Sequence, residues 1–100
     1  MDATQIAKFT KVKFSSLSFE RIEGWPNSKP EPIQALIELP NGFILSIVRH
    51  HASYGGLDGL YEIGCIKDGE MIYIDVWNDQ VKGWLSETDV ENEIEYIQNL

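Results

Sequence analysis

The sequence is poor in cysteine: Cys65 is the only one among its 100 residues. An intramolecular disulfide is therefore excluded, and a lone thiol is typical of a reducing compartment. No apolar run approaches the roughly 18 residues that a membrane-spanning helix needs. The first residues also lack the basic and apolar regions of a signal peptide. We therefore expect a soluble, cytoplasmic protein that contacts no membrane.

Basic residues are also scarce, and they are unevenly distributed. Residues 1–50 hold six Lys or Arg against five Asp or Glu, whereas residues 51–100 hold two against eleven, and the net charge is −8. Direct nucleic-acid binding is disfavoured, because phosphate contacts need clustered Lys and Arg. An acidic second half fits a partner protein with a basic surface. It fits also a surface that is kept charged for solubility, which is the commoner case among small acidic proteins.

The chain has ample material for a hydrophobic core, since 43% of its residues are hydrophobic and 11% are aromatic. A length of 100 residues predicts a single domain over 1–100 that buries about two-thirds of its unfolded surface. Its predicted parts are an N-terminal strand and Pro-rich loop (1–32), two hairpins (33–77) and a C-terminal helix (86–99).

Alternating polar and apolar residues predict the first part of a sheet. Residues 8–22, KFTKVKFSSLSFERI, predict one long strand with a bulge or two short strands. An irregular loop is expected at 23–32, which holds three of the four prolines. Residues 33–39 and 43–48 predict a hairpin. The Asn-Gly pair between them is expected to supply the positive φ angles of a tight turn.

The same alternation predicts a second hairpin in the following segment. Its strands are expected at 60–66 and 71–77, with a turn centred on Asp68 and Gly69. Residues 81–85 predict a short connector that leads out of this hairpin.

The last segment predicts a helix over residues 86–99. Ser86 is a natural N-cap, and Asp89 supplies the acidic half of a capping box. One apolar stripe with helical spacing must face the sheet; it consists of Val90, Ile94 and Ile97. The predicted fold class is therefore α+β: an antiparallel meander sheet of about 4–6 strands packed against one C-terminal helix, in two layers.

The stretch RHHASYGGLDGLYE joins the two predicted hairpins and invites several interpretations. His50 and His51 are adjacent, so on an extended chain they point to opposite faces, and no ligand pair such as CxxC accompanies them. Cys65 lies in the middle of a predicted strand, which does not favour a nucleophile assisted by a histidine and Asp58. The glycines lack the Lys-Ser/Thr of a phosphate-binding loop. We therefore expect no catalytic residue, no metal and no cofactor, and an enzyme such as a hydrolase is the remote alternative.

Four segments together resemble a family of small bacteriophage proteins. In that family a strand ending in S-V/I-V-R is followed by SYGG, then by GLYE, then by a helix start G-Y/W-L-T/S-E-x-D-V. The matching segments are Ser46–Arg49, Ser53–Gly56, Gly59–Glu62 and Gly83–Val90, and the likeness covers about residues 41–97. The resemblance brings no activity with it. It implies phage or prophage origin and action inside an infected bacterial cell.

We therefore expect a non-enzymatic phage protein that binds and modulates or inhibits a host or anti-phage defence protein, in part by imitating the charge of DNA. The predicted acidic contacts are Asp79, Glu87, Asp89, Glu91 and Glu95. The loop would add Arg49, His50, His51, Tyr54, Asp58 and Tyr61. The alternative is a protein that binds or sequesters a small molecule or nucleotide with the loop from Arg49 to Tyr61.

Two further features leave alternatives open. Trp77 and Trp84 flank the exit from the second hairpin: either they close the core beneath the helix, or one of them is an interface anchor. An exposed sheet edge would also allow two copies of the chain to pair, which predicts a homodimer as one arrangement.

Overall fold

A computed structural model describes residues 3–7 and 10–100 of the chain. Within these residues the chain forms one open, mostly antiparallel sheet of seven strands and one C-terminal helix, which confirms the predicted α+β class. The elements are β1 (Thr4–Gln5), β2 (Glu20–Arg21), β3 (Ile33–Glu38), β4 (Ile44–Arg49), β5 (Tyr61–Lys67), β6 (Glu70–Met71), β7 (Val81–Leu85) and α1 (Glu87–Gln98). The sheet has more strands than the predicted 4–6, because it includes three strands of only two residues each, β1, β2 and β6.

Three long strands, β3, β4 and β5, form the centre of the sheet in antiparallel order. On one side, β1 runs parallel to the end of β3, and β2 runs antiparallel to its beginning. On the other side, β6 and β7 both pair with β5, at opposite ends of that strand. Each central strand therefore has hydrogen-bonded neighbours on both edges, which suits a strand that is buried.

The predicted β3–β4 hairpin is present, and the predicted turn at Asp68-Gly69 joins β5 to the two-residue β6; the two turns differ in conformation. Asp68 (φ 53°) and Gly69 (φ 80°) both have positive φ, as a two-residue hairpin turn requires. In the β3–β4 turn, Gly42 has φ 91°, whereas Asn41 is outside the positive region, which corrects the expectation for this Asn-Gly pair. The Asn41 side chain instead donates a hydrogen bond to the carbonyl oxygen of Ile97 over 2.8 Å, at the end of α1.

The strand prediction for residues 8–22 is wrong for most of its length. Residues 8 and 9 lie outside the described part; the rest holds a 3₁₀ turn at Phe14–Ser16 and the short β2. The amide of Phe14 donates to Oε2 of Glu91 over 2.6 Å, and the Phe14 ring packs on the core. A contact with the helix, distant in sequence, therefore decides the local conformation against the alternating pattern.

The predicted strand at 71–77 and the predicted connector at 81–85 exchange roles. Only Glu70–Met71 is strand; the chain then turns through a 3₁₀ segment at Asp75–Trp77 and a left-handed Asn78 (φ 55°). Residues 81–85 return as β7 and occupy the edge of β5 that the predicted strand would have taken. The pattern indicated a strand in this region but not which of the two segments pairs with β5.

The core lies between one face of the sheet and α1. Its fully buried side chains include Ile37, Leu45, Ile47, Ile63, Cys65, Val90, Ile94 and Ile97, so the predicted apolar stripe of the helix does face the sheet. The capping box is also confirmed: Oγ of Ser86 accepts from the amide of Asp89, and Oδ2 of Asp89 accepts from the amide of Ser86, over 3.1 and 3.0 Å. No helix among the described residues is both long and apolar enough to cross a bilayer.

Candidate binding surface beside Trp84

The loop between β4 and β5 is built on a compact turn at its start. Oγ of Ser53, which is buried, accepts from the amide of His50 over 3.0 Å and donates to the carbonyl oxygen of the same residue over 2.9 Å. The amide of Ala52 donates to Nδ1 of His50 over 3.1 Å. A 3₁₀ turn at Gly56–Asp58 follows. The loop thus satisfies its own backbone groups, which gives it a defined shape.

This loop docks directly onto β7. The amide of Trp84 donates to the carbonyl oxygen of Tyr54 over 3.1 Å. A Cβ atom on Gly83 would lie 2.1 Å from Cβ of Tyr54, and one on Gly55 would lie 2.9 Å from Cα of Trp84. Since real Cβ contacts are never so short, glycine is required at both positions for the loop and the strand to approach each other.

Trp84 occupies a β-bulge in this contact. Tyr61 pairs with Leu85 and Ile63 with Lys82, so β7 contains one residue more than the facing stretch of β5. Trp84 has φ 60°, in the left-handed region, which costs a non-glycine residue about 1–2 kcal/mol. The residue is 60% exposed. The protein therefore holds a strained backbone at a residue whose ring is presented to solvent.

An open groove of about 340 Å³ lies beside this ring. Tyr54 and Leu57 stand next to it and are 57% and 73% exposed. The polar part of the lining comes from His51, Ser53 and Asp58. Exposed apolar side chains that adjoin one another mark interaction sites more often than single ones do. We call the surface formed by Tyr54, Leu57, Asp58 and Trp84 the Trp84 groove.

A larger cavity, about 530 Å³, lies at the C-terminal end of α1. Its lining includes the predicted contact Glu95, but it contains no aromatic ring. Two of its polar side chains are already engaged, because the Asn41 amide donates to the Ile97 carbonyl and the Gln98 amide donates to the Thr10 carbonyl over 2.6 Å. The Trp84 groove is therefore the better candidate for a binding site.

Trp25 attaches the Pro-rich loop to the two histidines. Its ring centroid lies 4.2 Å from that of His50 and 5.6 Å from that of His51, while Nδ1 of His51 lies 3.4 Å from Oγ of Ser28. Burial lowers the pKa of His50; nearby Glu62 opposes this effect, and His51 adds to it. His50 therefore favours its neutral form, which is also the form whose Nδ1 can accept from Ala52.

Arg49 and Tyr61, two of the predicted loop contacts, lie away from the groove. Nη1 of Arg49 donates to the Tyr61 hydroxyl over 3.2 Å, and the guanidinium stands 5.3 Å from the Tyr61 ring centroid. That ring packs on Phe14 and Phe19 on the helix side of the sheet. Burial raises the pKa of Tyr61, Arg49 opposes the shift, and Glu87 adds to it. The Arg49–Tyr61 contact therefore stabilises the edge of the hydrophobic core.

The predicted acidic contacts differ in how far their carboxylates are already hydrogen-bonded within the chain. Glu91 is half-buried and bonded to the Phe14 amide, Asp89 is held in the capping box, and Asp79 accepts from the Gln80 amide over 2.6 Å. Hydrogen bonding to Ser86 lowers the pKa of Asp89. Asp79, Glu87, Asp89 and Glu95 are exposed. Only part of the helical glutamate row is therefore available to a partner.

Trp77 and Trp84 have different roles. Nε1 of Trp77 donates to Oε1 of Glu93 over 2.7 Å, and the ring packs against the core, whereas Trp84 is exposed. The sequence raised one exposed tryptophan as an alternative but did not identify it, and it missed Leu57 altogether. The useful signal was Gly83: a glycine directly before a tryptophan in a strand indicates a bulge or a close backbone approach.

The described residues offer little for metal binding or for thiol chemistry. Within residues 3–7 and 10–100, no three side chains of His, Cys, Asp or Glu are grouped to hold a metal ion. Cys65 is fully buried, and burial raises its pKa to about 11. Comparison of the chain with protein-family models, with curated proteins and with solved structures found no match.

Proposed function

We propose that this chain is a non-catalytic protein that binds another protein through the Trp84 groove. The observation that supports this most directly is Trp84 itself, a residue that is 60% exposed and whose backbone has φ 60°. An exposed tryptophan contributes little burial energy to folding. The backbone strain at this position is therefore not offset by stabilisation of the folded chain. Strain of this kind is typical of functional sites, and tryptophan is enriched among the residues that dominate binding energy.

The partner is a host or anti-phage defence protein with a basic surface. The resemblance to bacteriophage proteins supports this, because it implies action inside a bacterial cell. Two of the segments that carry the resemblance meet in space: Tyr54 contacts Gly83, and Gly55 contacts Trp84. The charge distribution supports it as well, because residues 51–100 hold eleven acidic residues against two basic ones. Exposed carboxylates such as Glu87 would attract a basic partner over a distance, as the charges of DNA do, and salt would weaken that attraction.

Binding of a small molecule or nucleotide is the second candidate, because Tyr54 and Trp84 offer two aromatic faces in one groove. The groove is lined mainly by exposed side chains, however, whereas pockets for small ligands usually enclose 70–90% of the ligand surface. A thermal-shift screen against nucleotides tests this candidate. A true ligand at 100 times its Kd should stabilise the chain by about 2.7 kcal/mol, and an unchanged melting temperature excludes that class.

The decisive variant for the proposed function is Trp84→Gly. Glycine favours φ near 60°, so relief of strain offsets the lost ring contacts, and we expect a free energy of unfolding within about 1 kcal/mol of the wild type. Tyr96→Ala, which removes another exposed ring from the surface of α1, is the matched control.

Tagged wild-type chain and both variants would be used to capture partners from bacterial lysate at low and high salt. The wild type and Tyr96→Ala should retain the same salt-sensitive partner, while Trp84→Gly should lose it. Equal capture by Trp84→Gly would contradict the proposal, and so would the absence of any specific partner at either salt concentration.

A further inference from the structure

We infer that the Trp84 groove binds a guanidinium group, the end of an arginine side chain that projects from the partner protein. This inference rests on the proposed function for the existence of a partner and adds the chemistry by which that partner is recognised. It combines three properties of the groove: its aromatic faces, its charge and its apolar margin.

The aromatic faces come from Tyr54 and Trp84, which both line the groove and are 57% and 60% exposed. Aromatic faces carry negative electrostatic potential and attract cations, tryptophan most strongly. The Tyr54–Trp84 backbone hydrogen bond fixes the spacing of the two residues, with the close approach of Gly55 to Trp84 holding the loop in place. The backbone that carries the two rings is therefore in place before a ligand arrives, which reduces the entropy lost on binding.

The charge of the groove is negative. Asp58 lines it, and among the described residues no Lys or Arg does. Glu62 stands close by, because its Oε1 accepts from the Tyr54 amide over 3.3 Å. Nearby cations are engaged elsewhere: Arg49 bonds to Tyr61, and Nζ of Lys82 lies 3.7 Å from Oε1 of Glu93. Among the residues that line the groove, only His51 can carry a positive charge, whereas a cationic ligand would find a carboxylate and two rings.

Guanidinium fits this combination better than ammonium does. It is planar, so it can stack on the Trp84 ring while its N–H groups reach the Asp58 carboxylate, and it is more weakly hydrated than the compact charge of lysine. Leu57, 73% exposed, would cover the methylene stem of the incoming side chain, as apolar surface commonly does for long basic residues.

The test is an NMR titration of the whole chain, labelled with ¹⁵N, at pH 7.5. The probes are three blocked tripeptides, acetyl-Gly-X-Gly-amide, in which X is arginine, lysine or citrulline; citrulline has the shape of arginine without its charge. We expect the arginine peptide to shift the Trp84 indole N–H and the amides of Leu57 and Asp58 in a saturable manner. Lysine should bind about three- to fivefold more weakly, and citrulline should give no saturable shift.

A matched pair of variants tests the carboxylate. Asp58→Asn should weaken the arginine peptide about two- to fivefold, whereas Asp75→Asn, at an exposed acidic residue of another 3₁₀ turn, should leave its affinity unchanged. Citrulline or lysine binding as well as arginine would overturn the inference, as would shifts confined to other residues or equal affinities for the two variants.

The inference and the proposed function fail separately. If Trp84→Gly captures partners as the wild type does, the proposed function is wrong whatever the peptides do. If Trp84→Gly loses its partner while the arginine and citrulline peptides bind alike, the groove binds the partner but does not recognise a guanidinium group.

Discussion

The amide of Trp84 donates a hydrogen bond to the carbonyl oxygen of Tyr54 over 3.1 Å. This bond joins the β4–β5 loop to the bulge in β7, two segments that are thirty residues apart in the sequence. It satisfies a backbone donor that the bulge takes out of the ladder with β5. The same contact places two exposed aromatic rings in one groove, so the shape of the candidate site depends on how closely the loop and the strand can approach.

Gly83→Ala should separate the loop from β7. The added Cβ would lie 2.1 Å from Cβ of Tyr54 and 2.9 Å from its carbonyl oxygen, and a clash of this kind costs about 1–3 kcal/mol. Urea denaturation would measure the loss, and limited proteolysis would detect the undocked loop. Gly59→Ala is the control, because it strains φ but meets no atom within 4 Å. Equal protease resistance of the two variants would contradict the expected undocking.

His50 should make the stability of the protein dependent on pH in the mildly acidic range. Burial lowers its pKa below the value of 6.5 for the unfolded chain, so the unfolded chain binds the proton more readily. The stabilisation is fully present above pH 6.5 and is lost as the pH falls towards the folded-state pKa. Protonation also removes the Nδ1 acceptor of the Ala52 amide.

His50→Asn tests this dependence, because the Asn side chain can still accept from the Ala52 amide but does not titrate. Melting temperatures between pH 5 and 8 should fall less steeply for the variant than for the wild type as the pH decreases. The carboxylates titrate in both proteins and cancel in the comparison, so parallel curves would show that His50 contributes nothing.

Cys65 should be unreactive in the folded protein. Its side chain is fully buried among core residues, and burial raises its pKa to about 11, so thiolate is scarce at neutral pH and unexposed to reagent. We expect a colorimetric thiol reagent to label native protein only at the rate of unfolding, and urea-unfolded protein at once. Rapid labelling without denaturant would show that the core around β5 opens.

Ser86→Ala should destabilise the helix start by about 1 kcal/mol. The substitution removes the hydroxyl that accepts from the Asp89 amide. The Asp89 carboxylate keeps only its hydrogen bond from the backbone amide of residue 86. Because hydrogen bonding to residue 86 lowers the pKa of Asp89, this stabilisation is present above the unfolded pKa and is lost as the pH falls through the folded one. Thermal melts at pH 7 measure the cost; Ser86→Asp, which keeps a capping oxygen, should restore most of it.

Local chemistry predicted the elements that depend on neighbours in the sequence. The capping box at Ser86 and the Asp68-Gly69 turn involve residues at most three positions apart, so they were recognisable without the fold. The apolar stripe of α1 was recognisable for the same reason, since helical spacing places its three residues on one face whatever they pack against.

Two predictions failed where a distant contact outweighs local preference. Phe14 lies in a stretch with a strand-like pattern, but its amide bonds to Glu91 and its ring enters the core, so the chain forms a 3₁₀ turn there. The return segment after β6 fails similarly, because β7 rather than residues 71–77 pairs with most of β5. Both outcomes depend on which segment of the chain pairs with a sheet edge or packs on the core. Hydrophobic periodicity does not contain that information.

The candidate site shows the same division. The sequence by itself determined that the β4–β5 loop is rich in glycine and histidine, that the second half of the chain is acidic, and that Trp77 and Trp84 flank one exit. Only the tertiary structure decided that Tyr61 packs in the core with Arg49 bonded to its hydroxyl, that Trp77 packs against the core, and that Trp84 meets Tyr54 at the surface. The physical reason is that a strand pattern gives two faces, but the pairing register and the bulge at Trp84 decide which face each side chain reaches.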